Sequence, residues 1–311
     1  MKIFLSSWSF KRAIRLQKMT LLDLPQLAAR HGFGGVEIMD RHLPPGNLEF
    51  IDELNIAATK NDCELILDVS SDLTAASDHA WSGQIEYVLN MLDLAKQLQV
   101  TKMRLLLGGQ SFSIQKIFSK LIPTKSNLTV NSKKDVLGSR FLSSIFSTEL
   151  AANLSHTIRK NSPTRIRHEY EKIQRALDAL RKLVPQAASR NITLMIENHW
   201  GISSRPVNIV QMVDSVNWPG LGICVDFDNF PREVDPYQGV EILADRALHA
   251  HAKSYAFDER GEERTIDYSR ALKILKDKGF VGSFTVEFEG RGDVLTGSLI
   301  TKRLIEKCWP D

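Results

Sequence analysis

The stretch "NITLMIENHW", Asn191–Trp200, decides how this chain is read. From Ile192 to Ile196 every residue is apolar or β-branched, the composition of a strand buried in a core. Glu197, Asn198 and His199 follow without a break. A strand that ends abruptly in a carboxylate, an amide and an imidazole raises the question of what those groups serve.

Runs of the same character recur along the chain: 2–7, 35–39, 63–69, 102–107, 221–226, 247–253 and 283–289. Amphipathic segments separate them. "LLDLPQLAARHG" places Leu21, Leu24, Leu27 and Ala28 on one face and ends on Gly32, a helix terminator. Helical spacing returns in "IEYVLNMLDLAKQLQ", "IQRALDALRKLVPQAASR", "NIVQMVDSVN" and "SRALKILKDKGF". Strands alternating with helices imply parallel strands joined by crossovers. Eight such units in 311 residues predict a (β/α)8 TIM barrel. The rival is an open doubly wound sheet, but no Gly-x-Gly-x-x-Gly follows the first strand, so a dinucleotide fold has little support.

Composition narrows the classes. Hydrophobic residues make up 43% and charged residues 25%, ordinary for a globular chain. No apolar run reaches the roughly 18 residues that span a bilayer, and "MKIFLSSWSF" lacks the apolar core of a signal peptide. Cys63, Cys224 and Cys308 are odd in number and far apart, which predicts free thiols in a reducing cytoplasm. A net charge of +3 does not by itself call for a nucleic-acid partner. The charge is unevenly spread. Between 110 and 168, 10 Lys or Arg stand against 2 acids, with 11 Ser. This basic, Ser-rich segment reads as an insertion in the β4–α4 connection of a single 1–311 barrel domain. It is either a solvated appendage or a lid or docking surface over the mouth.

Four successive predicted strands end in a group that can hold a cation: Glu197, Asp226 in "GICVDFDNF", His251 in "LHAHAKS" and Glu287 in "FTVEFEG". Singly, each has an ordinary explanation. Glu197 could be a rim charge, Asp226 a helix cap, His251 a hydrogen-bonded core histidine, and Glu287 or Glu289 a solvated acid. Together they converge at one barrel mouth. There, carboxylates without a cation would repel, so a shared divalent metal (Mn²⁺, Mg²⁺, Co²⁺ or Zn²⁺) is the economical reading.

With "IENHWG", "CVDFDNF", "HAHAKS" and "TVEFEG", and "DLPQLAARHGFGGVEIM" near the start, the chain resembles the xylose isomerase-like TIM-barrel superfamily of sugar isomerases and epimerases. The resemblance implies metal ligands at Glu197, Asp226, His251 and Glu287. It also implies, as in ketose 3-epimerases, proton exchange by Glu197 and Glu287. A metal would stabilise the enediolate left when a proton next to a carbonyl is removed, and a carboxylate would take that proton. Return of the proton to the opposite face epimerises; return to the neighbouring carbon isomerises.

Candidate substrate contacts are Glu37, His199, Asn229, Lys253 and Trp8, with Trp8 as an apolar wall. Lys253 could hold an anionic group or pair with Glu289 or Asp226; His42 is expected to be structural. Asn229 stands where relatives often carry a histidine. Ser203 and Phe257 stand where ketose 3-epimerases carry Glu and Arg, so the chain departs from that subgroup.

The expected activity is a divalent-metal-dependent isomerase or epimerase of a small polyhydroxylated substrate. The alternative is a metal-dependent lyase or dehydratase of a cyclic keto acid or inositol derivative. A three-zinc DNA-repair endonuclease is disfavoured, because "AFDERGEERTID" after His251 supplies no histidine. A non-catalytic docking protein on a retired barrel is disfavoured by the four retained ligands. Homo-oligomer formation stays open.

Overall fold

The computed structural model describes residues 1–108 and 163–309. Strands β1 (Ile3–Ser6), β2 (Gly35–Met39), β3 (Glu64–Val69), β4 (Lys102–Leu105), β5 (Thr193–Glu197), β6 (Leu221–Asp226), β7 (Ala247–Ser254) and β8 (Ser283–Phe288) close in chain order into a barrel. Every neighbouring pair is parallel, and β8 returns to β1. The described helices are α1 (Lys11–Arg15), α2 (Leu24–Arg30), α3 (Leu48–Lys60), α4 (Asp78–Gln97), α5 (Pro163–Ala188), α6 (Pro206–Val216), α7 (Pro236–Ala244), α8 (Tyr268–Asp277) and α9 (Val294–Cys308). The eight-unit reading is therefore met, and the open sheet is excluded by the β8–β1 pairing.

Local chemistry explains where the helices begin and end. α7, α8 and α9 each start on an aspartate, Asp235, Asp267 and Asp293, whose side chain accepts from backbone N–H groups of the first turn. Those N–H groups have no partner within the helix, so the cap restores a bond otherwise missing. After α2, Gly32 adopts φ +68°, a left-handed conformation that glycine reaches without strain and that stops the helix. α4 buries Ile85, Val88, Leu92 and Ala95 against the barrel at helical spacing. α3, α7 and α9 were not singled out by the sequence patterns. Their buried stripes, such as Ile51, Leu54 and Ala58 in α3, are short and interrupted by polar residues.

The barrel interior is layered. Phe4, Ile66, Met195 and Cys224 form a fully buried apolar cluster. Side chains alternate along a strand, so Asp68, Glu197 and Asp226, each two residues further on, face the same interior one step nearer the C-terminal mouth. Gly35 makes room in the lower layer: a Cβ there would collide with the Phe4 ring and the Glu64 carbonyl. An apolar floor thus carries a charged layer, placed where barrel enzymes build their sites.

The barrel unit comprises Met1–Gly109 with Arg175–Asp311, and Gln110–Gln174 is a second unit. The expected insertion, 110–168, lies outside the described residues up to 162. Among the described residues no helix is long and apolar enough to cross a membrane. All three cysteines are free; Cys63, one residue before β3, and Cys224, in β6, are buried.

Candidate metal and substrate site

The ends of β5 to β8 bring the four expected cation-binding groups together. Glu197, Asp226 and His251 offer ligand atoms that all lie within 4.8 Å of one another. His251 Nδ1 is 3.1 Å from Glu197 Oε1 and 3.9 Å from Glu287 Oε2. All four side chains are buried. Glu197 Oε2, Asp226 Oδ2 and His251 Nδ1 have no hydrogen-bond partner among the described residues. A buried polar atom left without a hydrogen bond is costly. Glu197 Oε2 faces the Arg104 guanidinium at 2.7 Å, whereas Asp226 Oδ2, His251 Nδ1 and the Glu197 Oε1 that lies 3.1 Å from that nitrogen fit a cation that would satisfy them together.

Asp226 divides its work. Its Oδ1 accepts from the backbone N–H groups of Asp228 (2.8 Å) and Asn229 (2.9 Å), so it caps the turn after β6. Its Oδ2 is 3.2 Å from the Lys253 ammonium. Asn198 fixes the strand end beneath it, donating to the Asp226 carbonyl (2.9 Å) and accepting from its N–H (2.7 Å). Asp226 does not cap the next helix, which Asp235 caps; its Oδ1 holds the turn after β6 instead, and Oδ2 is left free of that task.

Lys253 lies 3.1 Å from Glu287 Oε2, 3.5 Å from Glu289 Oε1, and donates to Asn229 Oδ1 at 3.1 Å. The Asn229 amide in turn donates to Glu197 Oε1 at 3.3 Å. Trp8 stands at the same rim, donating its indole N–H to Glu289 Oε1 (3.1 Å), with Lys11 over its ring at 3.9 Å. Its ring stacks on His42, whose Nδ1 meets Ser7 Oγ at 3.2 Å. His199 packs edge-on against Trp200 at 4.2 Å, and its Nδ1 lacks a hydrogen-bond partner among the described residues.

Electrostatics separates these groups. Burial alone would raise Glu197, but Arg104, His199 and His251 outweigh it and hold the carboxyl well below the usual range. Burial pushes Asp226 up to about 7, with Glu197 and Glu287 adding to the shift and Lys253 opposing it. Burial would discharge Lys253, but Asp226, Glu287 and Glu289 keep it well above its ordinary value. Burial lowers His199 to about 4, so its imidazole is neutral near pH 7.

Glu37 is placed differently from the expected rim contact. It is 1% exposed and lies beneath the mouth. Its oxygens face His251 Nε2 at 2.9 and 3.1 Å, accept from Thr285 Oγ1 at 2.6 Å, and approach His249 Nε2 at 3.3 Å. The sequence reading passed over Arg104 and Asp68. Arg104, 3% exposed on β4, is ion-paired with Asp68 and lies 2.7 Å from Glu197 Oε2 and 3.8 Å from Glu37 Oε1. The available signal was a charge within each of two apolar strands, Asp68 near the end of "CELILDV" and Arg104 in "KMRLLL", at paired register positions.

Comparison with known proteins places the chain. The family model described as xylose isomerase-like TIM barrel matches residues 146–307. A 3-oxo-isoapionate decarboxylase of Pectobacterium atrosepticum is 32% identical over 83 residues, 26% of this chain and 30% of that protein, so the chain matches less than a third of that relative's length. Among solved structures, an L-ribulose 3-epimerase superposes with TM-score 0.68 at 13% identity, covering 99% of this chain and 95% of that one. The IOLI protein with a bound zinc atom superposes with TM-score 0.66 at 15% identity, covering 99% and 98%. With more than half its residues matched by the family model and eight parallel strands closed into a barrel, the chain belongs to the xylose isomerase-like TIM barrel family.

Proposed function

We propose that this protein is a divalent-metal-dependent isomerase or epimerase of a small sugar or sugar-like ketone. The observation that carries the reading is the convergence of Glu197, Asp226 and His251, whose ligand atoms lie within 4.8 Å of one another, with Asp226 Oδ2 and His251 Nδ1 buried and lacking a hydrogen bond among the described residues. With Glu287 beside them, these residues would hold the metal, and a bound divalent cation would stabilise negative charge developing on the substrate's oxygens. Glu197 and Glu287 come from β5 and β8, so they approach a bound substrate from different sides. Both are candidate proton carriers. Glu197 is held ionised by Arg104 and His251, ready to accept but weakly basic. Glu287, beside the Lys253 ammonium, is the partner for return of the proton. Asn229 and Lys253 bridge the two acids and can orient hydroxyl groups, and Trp8 supplies a flat wall at the rim.

The test is exchange. A panel of ketoses incubated in D₂O with the Mn²⁺-loaded protein is followed by NMR for deuterium next to the carbonyl and for new stereoisomers. Glu287→Gln is expected to slow exchange about 100- to 10,000-fold. Unchanged exchange in that variant, or no exchange with any ketose, defeats the reading.

A lyase is the second reading. It is favoured by the match to a decarboxylase and by a buried ammonium, Lys253, that suits a carboxylated substrate. Loss of CO₂ next to a carbonyl leaves the same kind of carbanion as loss of a proton. Release of CO₂ from 3-oxo sugar acids, or of an aromatic product from 3-dehydroshikimate, without deuterium exchange into ketoses, selects it.

A further inference from the structure

Glu37 and Arg104 lie on β2 and β4, strands that carry none of the four candidate ligands, although β4 pairs directly with β5. They are 1% and 3% exposed. A carboxylate only accepts hydrogen bonds. With Glu37 oxygens at 2.9 and 3.1 Å, the Nε2 of His251 must carry a proton. That leaves Nδ1 as the ring atom directed at Glu197 Oε1 (3.1 Å) and Glu287 Oε2 (3.9 Å), where a cation would take the place of a proton. Glu37 is itself held by Thr285, which donates to its Oε2 at 2.6 Å. Glu197 shows the same logic on the other side. Its Oε2 faces the Arg104 guanidinium at 2.7 Å, and its Oε1 is presented toward His251 and Asn229. Arg104 Nε and Glu37 Oε1 are 3.8 Å apart, so the two supports are neighbours.

We propose that Glu37 and Arg104 are positioning residues that preset His251 and Glu197 for a divalent cation, and that Glu37 does not touch substrate. The inference rests on the metal-site reading and adds to it the source of its preorganisation. With both oxygens turned to His251, Thr285, His249 and Arg104, Glu37 has no face left for a sugar hydroxyl. Groups that orient a metal-binding histidine from behind typically change metal affinity 10- to 100-fold when altered.

The test measures Mn²⁺ and Zn²⁺ affinity directly, by competition with a chelating dye, on the full chain. Glu37→Gln and Arg104→Lys are each expected to weaken binding about 10- to 100-fold. Thr285→Val removes only the hydroxyl that steadies Glu37 and is expected to weaken binding about 2- to 10-fold; it serves if the charged-group variants fail to fold. Nitrogen-detected NMR of the Zn²⁺-loaded protein is expected to show His251 protonated on Nε2 and bound through Nδ1 in the wild type, and a mixture of the two ring nitrogens as ligand in Glu37→Gln. Unchanged metal affinity in folded Glu37→Gln or in Thr285→Val, with a raised KM instead, overturns the proposal and returns Glu37 to the substrate. If the wild type binds neither metal, the metal-site reading itself fails, an outcome distinct from equal binding by wild type and variants.

Discussion

Cys63 and Cys224 show at the scale of single residues how burial sets chemistry. Burial pushes each thiol up to about 12. The thiolate is the reactive form, so in the folded protein both are inert near pH 8. Cys308 is partly exposed at the end of α9. Iodoacetamide at pH 8 is expected to label Cys308 alone in the native protein and all three in urea, read by intact mass. Rapid native labelling of Cys63 or Cys224 refutes the burial argument. The sign for stability follows from the same shift. The unfolded thiols ionise near 9 while the folded ones stay protonated, so their contribution to stability falls as pH rises above about 9. Asp226 illustrates a different point. The sequence offered a helix cap or a ligand; the helix is capped by Asp235, and one Asp226 oxygen fixes the turn after β6 while the other is left without a hydrogen bond among the described residues.

Among the elements, the helices were only partly legible. The long apolar stripes of α4 and α5 announce themselves, whereas α7, nine residues, depends on its first turn. Asp235 accepts from Tyr237 N (2.9 Å) and Gln238 N (3.0 Å) ahead of Pro236. Asp235→Ala is expected to cost about 1 kcal/mol in urea unfolding, with the slope unchanged. A change within experimental scatter would mean that packing of Val240 and Leu243, not the cap, fixes this helix. The strands were read more securely. β2 and β6 fall at the positions their apolar runs predict, because a strand buried on both faces carries a composition that flanking turns interrupt sharply. β4 stops at Leu105, two residues short of the apolar run, because Leu106 and Leu107 leave the ladder yet remain buried.

For the whole molecule, the decisive feature is the concentration of buried charge at one end of the barrel. Glu37, Asp68, Glu197, Asp226 and Glu287 are buried acids, and Arg104 and Lys253 are the buried Lys and Arg that oppose them among the described residues. A divalent cation that binds this mouth only in the folded state must stabilise the fold by mass action. At a metal concentration about 100-fold above the dissociation constant, the gain is about 2.7 kcal/mol. Chelator-treated protein is therefore expected to melt at a lower temperature than Mn²⁺- or Zn²⁺-loaded protein, and Asp226→Asn to abolish most of the difference. Equal melting temperatures with and without metal contradict the shared-cation reading.

The division between sequence and tertiary structure follows from the range of each signal. Strand alternation is local, so the sequence alone determined that Glu197, Asp226, His251 and Glu287 lie in the C-terminal halves of four successive strands, and that those strands belong to a parallel α/β fold; it placed His251 at the end of its strand, whereas β7 runs on to Ser254. What faces a side chain across the barrel depends on closure and register, which join residues far apart in the chain. Only the tertiary structure decided that Glu37 meets His251 across 214 positions and that Arg104 reaches Asp68 and Glu197. A charge in an apolar strand looks like an isolated exception until closure of the barrel supplies its partner.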